Sequence, residues 1–311
     1  MSDLLNHNEK NSKDFKCGMV SIVGRPNVGK STLLNKIVGE KIAIVSPVPQ
    51  TTRNQIRGIY NDDKGQIIFI DTPGIHASKD KLDKLMNTAS LSSTIDVDCI
   101  IHVADVSRRV GEEEERVICN LNKLSSPIIL GLNKVDIKKN YLPSYIELWE
   151  DLAGKKVNEM KNFSIVAMSG KNDINIEVLI DVIYQYLPKG PALYPTDMIA
   201  DTPKRLVIAD IIREKLLRLM KNEVPHALSV IVEDMQPVKG KTLKIKALIV
   251  VERKTQKEIV IGKGGRILKE VGISARAELE QLLDTKVFLD LYVKIQDHWR
   301  DDVLFLQELG Y

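Results

Sequence analysis

The sequence predicts an α/β domain with a mostly parallel sheet, followed by a smaller α+β domain. Three observations carry this. Short apolar runs alternate with amphipathic stretches as far as Leu187, a Pro-containing stretch without period follows, and beyond it helical and alternating patterns surround a Gly-rich turn. The 311 residues, 43% of them hydrophobic, suffice for about two buried cores.

In the first part, Met19 to Val23, Ile67 to Ile70, Cys99 to Val103, Pro127 to Leu132 and Phe163 to Met168 read as buried strands. Leu82 to Leu91, Glu112 to Leu124 and Ile174 to Leu187 are amphipathic and read as helices between them. Strands apolar on both sides, alternating with helices, imply a sheet covered on both faces. Residues 1–16 are polar and read as a disordered tail, with neither a signal peptide nor an Arg-rich transit pattern. The first domain then spans 17–188, a linker 189–203, and the second domain 204–311.

In the second part, a helix is expected over Lys204 to Met220, strands over Ala227 to Val232 and Thr242 to Val251, and a helix from the Gly262 to Gly265 turn to about Leu283. The last strand, Lys286 to Ile295, alternates, with Val287, Leu289, Leu291, Val293 and Ile295 on one side. The order implies a three-stranded sheet.

No run of 18 apolar residues occurs, which argues against a membrane-spanning helix. Cys17, Cys99 and Cys119 are too widely spaced for a CxxC pair, so neither a disulfide framework nor a zinc site is expected, and a cytoplasmic location fits. The net charge of +3 hides an uneven distribution: from Lys239 to Arg276 eleven Lys and Arg face three Glu. That segment suits a polyanion.

Gly24-Arg25-Pro26-Asn27-Val28-Gly29-Lys30-Ser31 fits G-x-x-x-x-G-K-[ST] between a strand and a helix. The glycines let backbone N–H groups approach phosphate oxygens, the helix N-terminus through Thr32 adds its dipole, Lys30 supplies a cation, and Ser31 a hydroxyl for Mg²⁺. Asp71-Thr72-Pro73-Gly74 and Asn133-Lys134-Val135-Asp136 end two further strands, where ligands gather in open α/β sheets. The Asp136 carboxylate can accept two hydrogen bonds from guanine N1–H and the 2-amino group, a pair adenine lacks. GTP is therefore expected over ATP. Asn133 would brace the loop and the stem of Lys134 would cover the base.

These motifs, in this order, resemble those of translation-factor-type GTPases. The resemblance implies a first switch at Gln50-Thr51-Thr52-Arg53, with Thr52 a ligand of Mg²⁺ and the γ-phosphate, and a fifth motif at Ser169-Gly170, where Ser-Ala is common. It makes Lys30, Thr52 and Gly74 the catalytic set. Ser31, Thr52 and Asp71 would organise Mg²⁺, and Gly24, Asn27, Val28 and Gly29 would complete the phosphate cradle. Ile75 follows Gly74, and an Ile cannot orient the attacking water that Ras-like enzymes position with Gln. Resemblance to other hydrophobic-substituted GTPases then implies that Asn27 helps bind K⁺. Arg53 and His76 are expected to be structural.

Ile261-Gly262-Lys263-Gly264-Gly265-Arg266 carries a GxxG between helices inside the basic segment, in an α-β-β-α-α-β order that resembles type II KH domains. Gly262, Gly264 and Gly265 would admit an RNA backbone, with Lys263, Arg266 and Lys269 supplying charge, and Ile259, Ile261 and Ile267 shared between core and groove. A GTPase domain followed by a type II KH domain resembles the Era family, from about Lys16 to Tyr311. That resemblance implies binding to the 3′ end of small-subunit (16S) rRNA and a role in 30S assembly, in a monomer with peripheral contact to the inner face of the cell membrane as a secondary expectation. The competing class is a signalling GTPase whose C-terminal domain binds a protein or a membrane surface.

Overall fold

Seven consecutive residues of Gly65–Asp71 and seven of Cys99–Asp105 are buried, as strands covered on both faces must be. They are β3 and β4 of a six-stranded sheet in this computed structural model, which describes residues 14–48, 51–78, 80–238 and 241–309. The others are β1 (Lys16–Val23), β2 (Ile56–Asn61), β5 (Ile128–Asn133) and β6 (Phe163–Met168), in the order β2-β3-β1-β4-β5-β6. Only the β2–β3 pair is antiparallel. The loop after β1 leaves the sheet where neighbouring strands run off to both sides, the position at which open α/β sheets bind ligands.

Alternate strand residues serve opposite faces. Ile101 and Val103 join one core with α1 (Lys30–Val38) and α5 (Ile176–Tyr186). Ile100 and Ala104 join the other with α3 (Glu112–Leu121) and α4 (Leu142–Ala153), where Tyr145 and Trp149 are buried. One helix, α2 (Lys81–Ser92), lies between β3 and β4 in the chain.

Two elements of this part had no counterpart among the expected ones: β2 and α4. The aperiodic stretch proposed as linker is fixed over much of its length. Leu193 and Tyr194 N–H groups donate to Gln66 Oε1, Ile59 N–H donates to Ile199 O at 2.9 Å, and Asp201 N–H to Arg57 O at 3.1 Å. It satisfies the outer edge of β2, an edge that would otherwise be open to pairing.

The chain divides into two compact units, 1–43 with 55–77 and 87–201, and 44–54 with 78–86 and 202–311. The second holds a sheet in the order β7-β8-β9, from β7 (Ser229–Val238), β8 (Thr242–Val251) and β9 (Lys286–Ile295). The β7–β8 pair is antiparallel, with a bulge between Val232 and Asp234, and β8–β9 is parallel. A parallel return needs a crossover, supplied by α8 (Lys254–Ile261) and α9 (Arg266–Leu283). Those helices and α6 (Lys204–Leu219) cover one face through Ile212, Leu216, Val260, Val271, Ala275 and Leu279. On the other face Val250 meets Trp299 and Phe305, the latter in α10 (Val303–Glu308), together with Leu82 and Met86.

The 44–54 segment is tied into this second unit. Arg53 donates to Leu228 O at 2.9 Å and His226 O at 3.2 Å, at the end of the short helix α7 (Val224–Ala227), and its guanidinium lies 5.6 Å from the Trp299 ring centroid. Arg213 donates to Thr51 O. Arg300 forks onto Glu252 at 3.0 and 2.9 Å and reaches Asp80 at 2.9 Å. The structural reading of Arg53 is thus given its partners. Gln50 and residues 1–13 of the expected tail lie outside the described residues.

Candidate nucleotide site and RNA interface

The loop after β1 depends on left-handed backbone. Asn27 has φ 63° and Gly29 φ 105°, and a Cβ on Gly29 would stand 2.5 Å from Asn133 Nδ2. Within α1 the Leu33 N–H donates back to Gly29 O at 2.9 Å, so the N–H groups of Lys30, Ser31 and Thr32 form the open N-terminal end of the helix. Lys30 is buried and donates to Gly24 O and Arg25 O, both at 2.9 Å. Burial lowers its pKa to about 8, against the opposing pull of the Asp71 and Glu114 carboxylates.

Ser31 Oγ donates to Asp71 Oδ2 at 2.7 Å, which joins a helix N-terminus to the end of β3. A hydroxyl and a carboxylate at this separation are hard oxygen donors suited to Mg²⁺, which takes its remaining ligands from water and phosphate. Among the described residues no group of three or more His, Cys, Asp or Glu could hold a metal. Thr72 Oγ1 donates to Ile22 O at 2.9 Å, and a Cβ on Gly74 would lie 2.6 Å from Pro26 N. Ile75 donates its N–H to Gly24 O at 3.3 Å and buries its side chain in the core. His76 Nδ1 is 2.7 Å from Gly74 O.

At the other end, Asn133 spans two motifs: its Nδ2 donates to Val28 O at 2.8 Å and its Oδ1 accepts from Gly170 N–H at 3.0 Å. Lys134 donates to Asn27 O at 3.0 Å and pairs with Asp105 Oδ2 at 2.6 Å. Asp136 is exposed. Ser169 is buried, and its Oγ accepts from Asn172 N–H at 3.2 Å. A Cβ on Gly170 would come within 3.3 Å of Leu33 Cα, a tight contact. The structure therefore brings together Gly24, Lys30, Ser31, Asp71, Asn133 and Lys134. Thr52 is buried and belongs to the 44–54 segment of the second unit.

In the second unit, Gly262 (φ 72°), Gly264 (φ 63°) and Gly265 (φ 78°) make the turn between α8 and α9. A Cβ on Gly262 would meet Ile267 Cγ1 at 2.8 Å, whereas one on Gly264 or Gly265 would meet nothing within 4 Å. Lys263, Arg266 and Lys269 are exposed. Beside the turn runs an open groove of about 310 Å³, lined by Gly265, Leu268, Lys269, Ile273, Arg276 and Leu291 among others. Its apolar residues are Leu268, Ile273, Leu289 and Leu291; Ile259, Ile261 and Ile267 are not among those lining it. Ile267 packs against the core and Ile259 is exposed.

Residues 19–134 match the family model described as 50S ribosome-binding GTPase, and 223–300 match the KH domain model. GTPase Era of Lactobacillus helveticus is 46% identical over 96% of this chain and 97% of its own length, and GTPase Era of Carboxydothermus hydrogenoformans is 42% identical over 96% and 98%. The chain belongs to the GTPase Era family. A crystal structure of Era in complex with MgGDPNP and nucleotides 1506–1542 of 16S ribosomal RNA superposes with a TM-score of 0.89, at 38% identity over 96% of this chain and 99% of the other. A point variant of Aquifex aeolicus Era bound to GDP.AlF4⁻ gives a TM-score of 0.88, also at 38% identity and over the same shares of the two chains.

Membership in the Era family bears out the expected fold, a GTPase domain followed by a KH domain, and the expected enzyme class. Sequence reasoning missed Asp105, the acid on Lys134, and the buried set Arg25, His102, Glu114, Tyr145 and Trp149 behind the loop. A signal for Glu114 existed, because α3 buries 114, 117, 118 and 121 and a Glu on that face needs a partner.

Proposed function

We propose that this Era-family chain binds GTP with Mg²⁺, hydrolyses it, and holds the 3′ end of small-subunit rRNA on its KH domain during 30S assembly. One observation carries the reading: a relative with the same two domains, matched over 96% of this chain, was crystallised with MgGDPNP and nucleotides 1506–1542 of 16S ribosomal RNA. The catalytic set would be Lys30, Thr52 and Gly74. Ser31, Thr52 and Asp71 would hold Mg²⁺, directly or through water, and guanine would be read by Asp136 with Asn133, Lys134 and the Ser169-Gly170 turn. With Ile75 unable to orient water, K⁺ held at Asn27 would stabilise the developing charge in place of an arginine finger.

The domains are proposed as 17–188 and 204–311 with 189–203 between them, and the RNA site as Gly262 to Arg266 with Lys269. The protein is proposed to be a cytoplasmic monomer. Among the described residues no helix is long and apolar enough to cross a membrane, so peripheral contact with its inner face would rest on surface charge. Crosslinking in cells followed by sequencing of the bound RNA tests the reading. Enrichment of the 16S 3′ end is expected, and a protein or lipid partner without RNA would overturn it.

A further inference from the structure

The second residue of the phosphate-binding loop, Arg25, turns its side chain into the protein, where it is 11% exposed. Its Nε lies 2.5 Å from Glu114 Oε2, and its terminal nitrogen donates to the Tyr145 hydroxyl at 2.7 Å. Glu114 is fully buried, although Glu112, Glu113 and Glu115 beside it in α3 are not. A carboxylate held there is costly unless paired. Its second neighbour is His102, whose Nε2 lies 2.7 Å from Oε1. The Trp149 indole, which can only donate, donates to His102 Nδ1 at 3.1 Å, so Nε2, the nitrogen beside the carboxylate, is the one that carries the ring proton. Glu114 is thus fixed from behind by an imidazole that is itself pinned.

The same framework reaches the loop at a second point. The Tyr145 hydroxyl donates to Asp105 O at 2.7 Å, the Asp105 carboxylate holds Lys134 at 2.6 Å, and Lys134 donates to Asn27 O at 3.0 Å. Between these anchors the loop carries positive φ at Asn27 and Gly29, a shape that needs support from its surroundings. The Arg25 carbonyl also seats Lys30.

We propose that Glu114 is a positioning residue for phosphate binding: through Arg25 it holds the loop in the shape in which its amides converge on the phosphates. This rests on the reading of the site as a GTP site. Without the carboxylate, Arg25 gains more from water than from the interior, and the loop loses its outer anchor.

The test measures GDP and GTP affinity, and steady-state kcat and KM, for the full-length wild type, Glu114→Gln, Arg25→Met, the double variant and Arg25→Lys. Each of the first two singles is expected to weaken GDP and GTP alike by about tenfold, with the loss in KM rather than kcat. The double variant should be no weaker than Arg25→Met alone, because both act through one contact, and Arg25→Lys should recover most of the affinity. Residues acting independently of one another would instead multiply the two losses to about a hundredfold in the double variant. That outcome, or wild-type affinity in Glu114→Gln, overturns the proposal. Where Glu114→Gln does not fold, wild-type affinity in Arg25→Met overturns it instead. A wild type that binds ADP as well as GDP overturns the site reading and this inference with it.

Discussion

Lys30 carries the charge on which phosphate binding depends, yet burial brings its pKa down to about 8. Phosphate oxygens beside it would favour the charged form and raise that pKa. Well below pH 8 the amine is protonated with or without nucleotide, so affinity is level there. Above pH 8 the free protein must take up a proton to bind, and GDP affinity should fall by up to about tenfold per pH unit. Calorimetry at pH 8.5 in buffers of differing ionisation enthalpy should detect that uptake, and Lys30→Arg, charged throughout, should lose it; equal uptake by both would reject the assignment. At the base end, Asp136→Asn should weaken GTP by about a hundredfold and favour xanthosine triphosphate, because an amide donates where the carboxylate accepted. Equal wild-type affinity for GTP and ATP would exclude the guanine reading. For Asn27, turnover should be several-fold higher in K⁺ than in Na⁺, and Asn27→Ala should remove most of the difference. Indifference to the monovalent ion would leave Ile75 uncompensated and point to a protein activator.

The elements that the sequence made legible are those with a clean period. The apolar runs of β3, β4 and β5 are buried on both faces, and the alternation of β9 survives as a buried Val287 with Leu289, Leu291 and Val293 packed against the core. β2 was illegible because it is an outer strand of mixed polarity, and its Gly58 sits where a Cβ would meet Ile42 and Leu34 at 2.7 Å. The groove lining was hard to assign because Ile267 and Leu268 are sequence neighbours that both pack against the core, and only Leu268 also lines the groove. Arg25 and Glu114 escaped notice for a related reason: about ninety residues of chain separate a contact of 2.5 Å. The GxxG turn yields a test at this scale. Gly264 has open space and only its φ of 63° opposes a side chain, at about 1–2 kcal/mol, whereas Gly262 would force Ile267 aside. Changing Lys263 and Gly264 together to Asp should therefore leave the domain folded while RNA binding falls by about a hundredfold or more through charge reversal. Undiminished RNA binding with unchanged circular dichroism would reject this turn as the RNA site.

At the scale of the molecule, residues 44–54, which contain Thr52, and 78–86, which follow Gly74, belong to the second unit. Their periodicity did not announce this: the polar anchors are single side chains, Arg53 on Leu228 O and His226 O, Arg213 on Thr51 O, and Arg300 on Asp80, and the apolar pair Leu82 and Met86 packs with Trp299, far along the chain. A nucleotide that recruits Thr52 to Mg²⁺ would act on a segment held by those bonds. The free energy of the second unit would then depend on the nucleotide, and reciprocity requires RNA to change nucleotide affinity by the same factor. RNA affinity measured with GDP and with a non-hydrolysable GTP analogue should differ by about fivefold or more in the wild type. Arg53→Ala, which removes two hydrogen bonds and the contact with Trp299, should shrink that ratio while GTP binding itself survives. Equal RNA affinity in the two nucleotide states would reject the coupling, and an unchanged ratio in Arg53→Ala would move it away from this anchor.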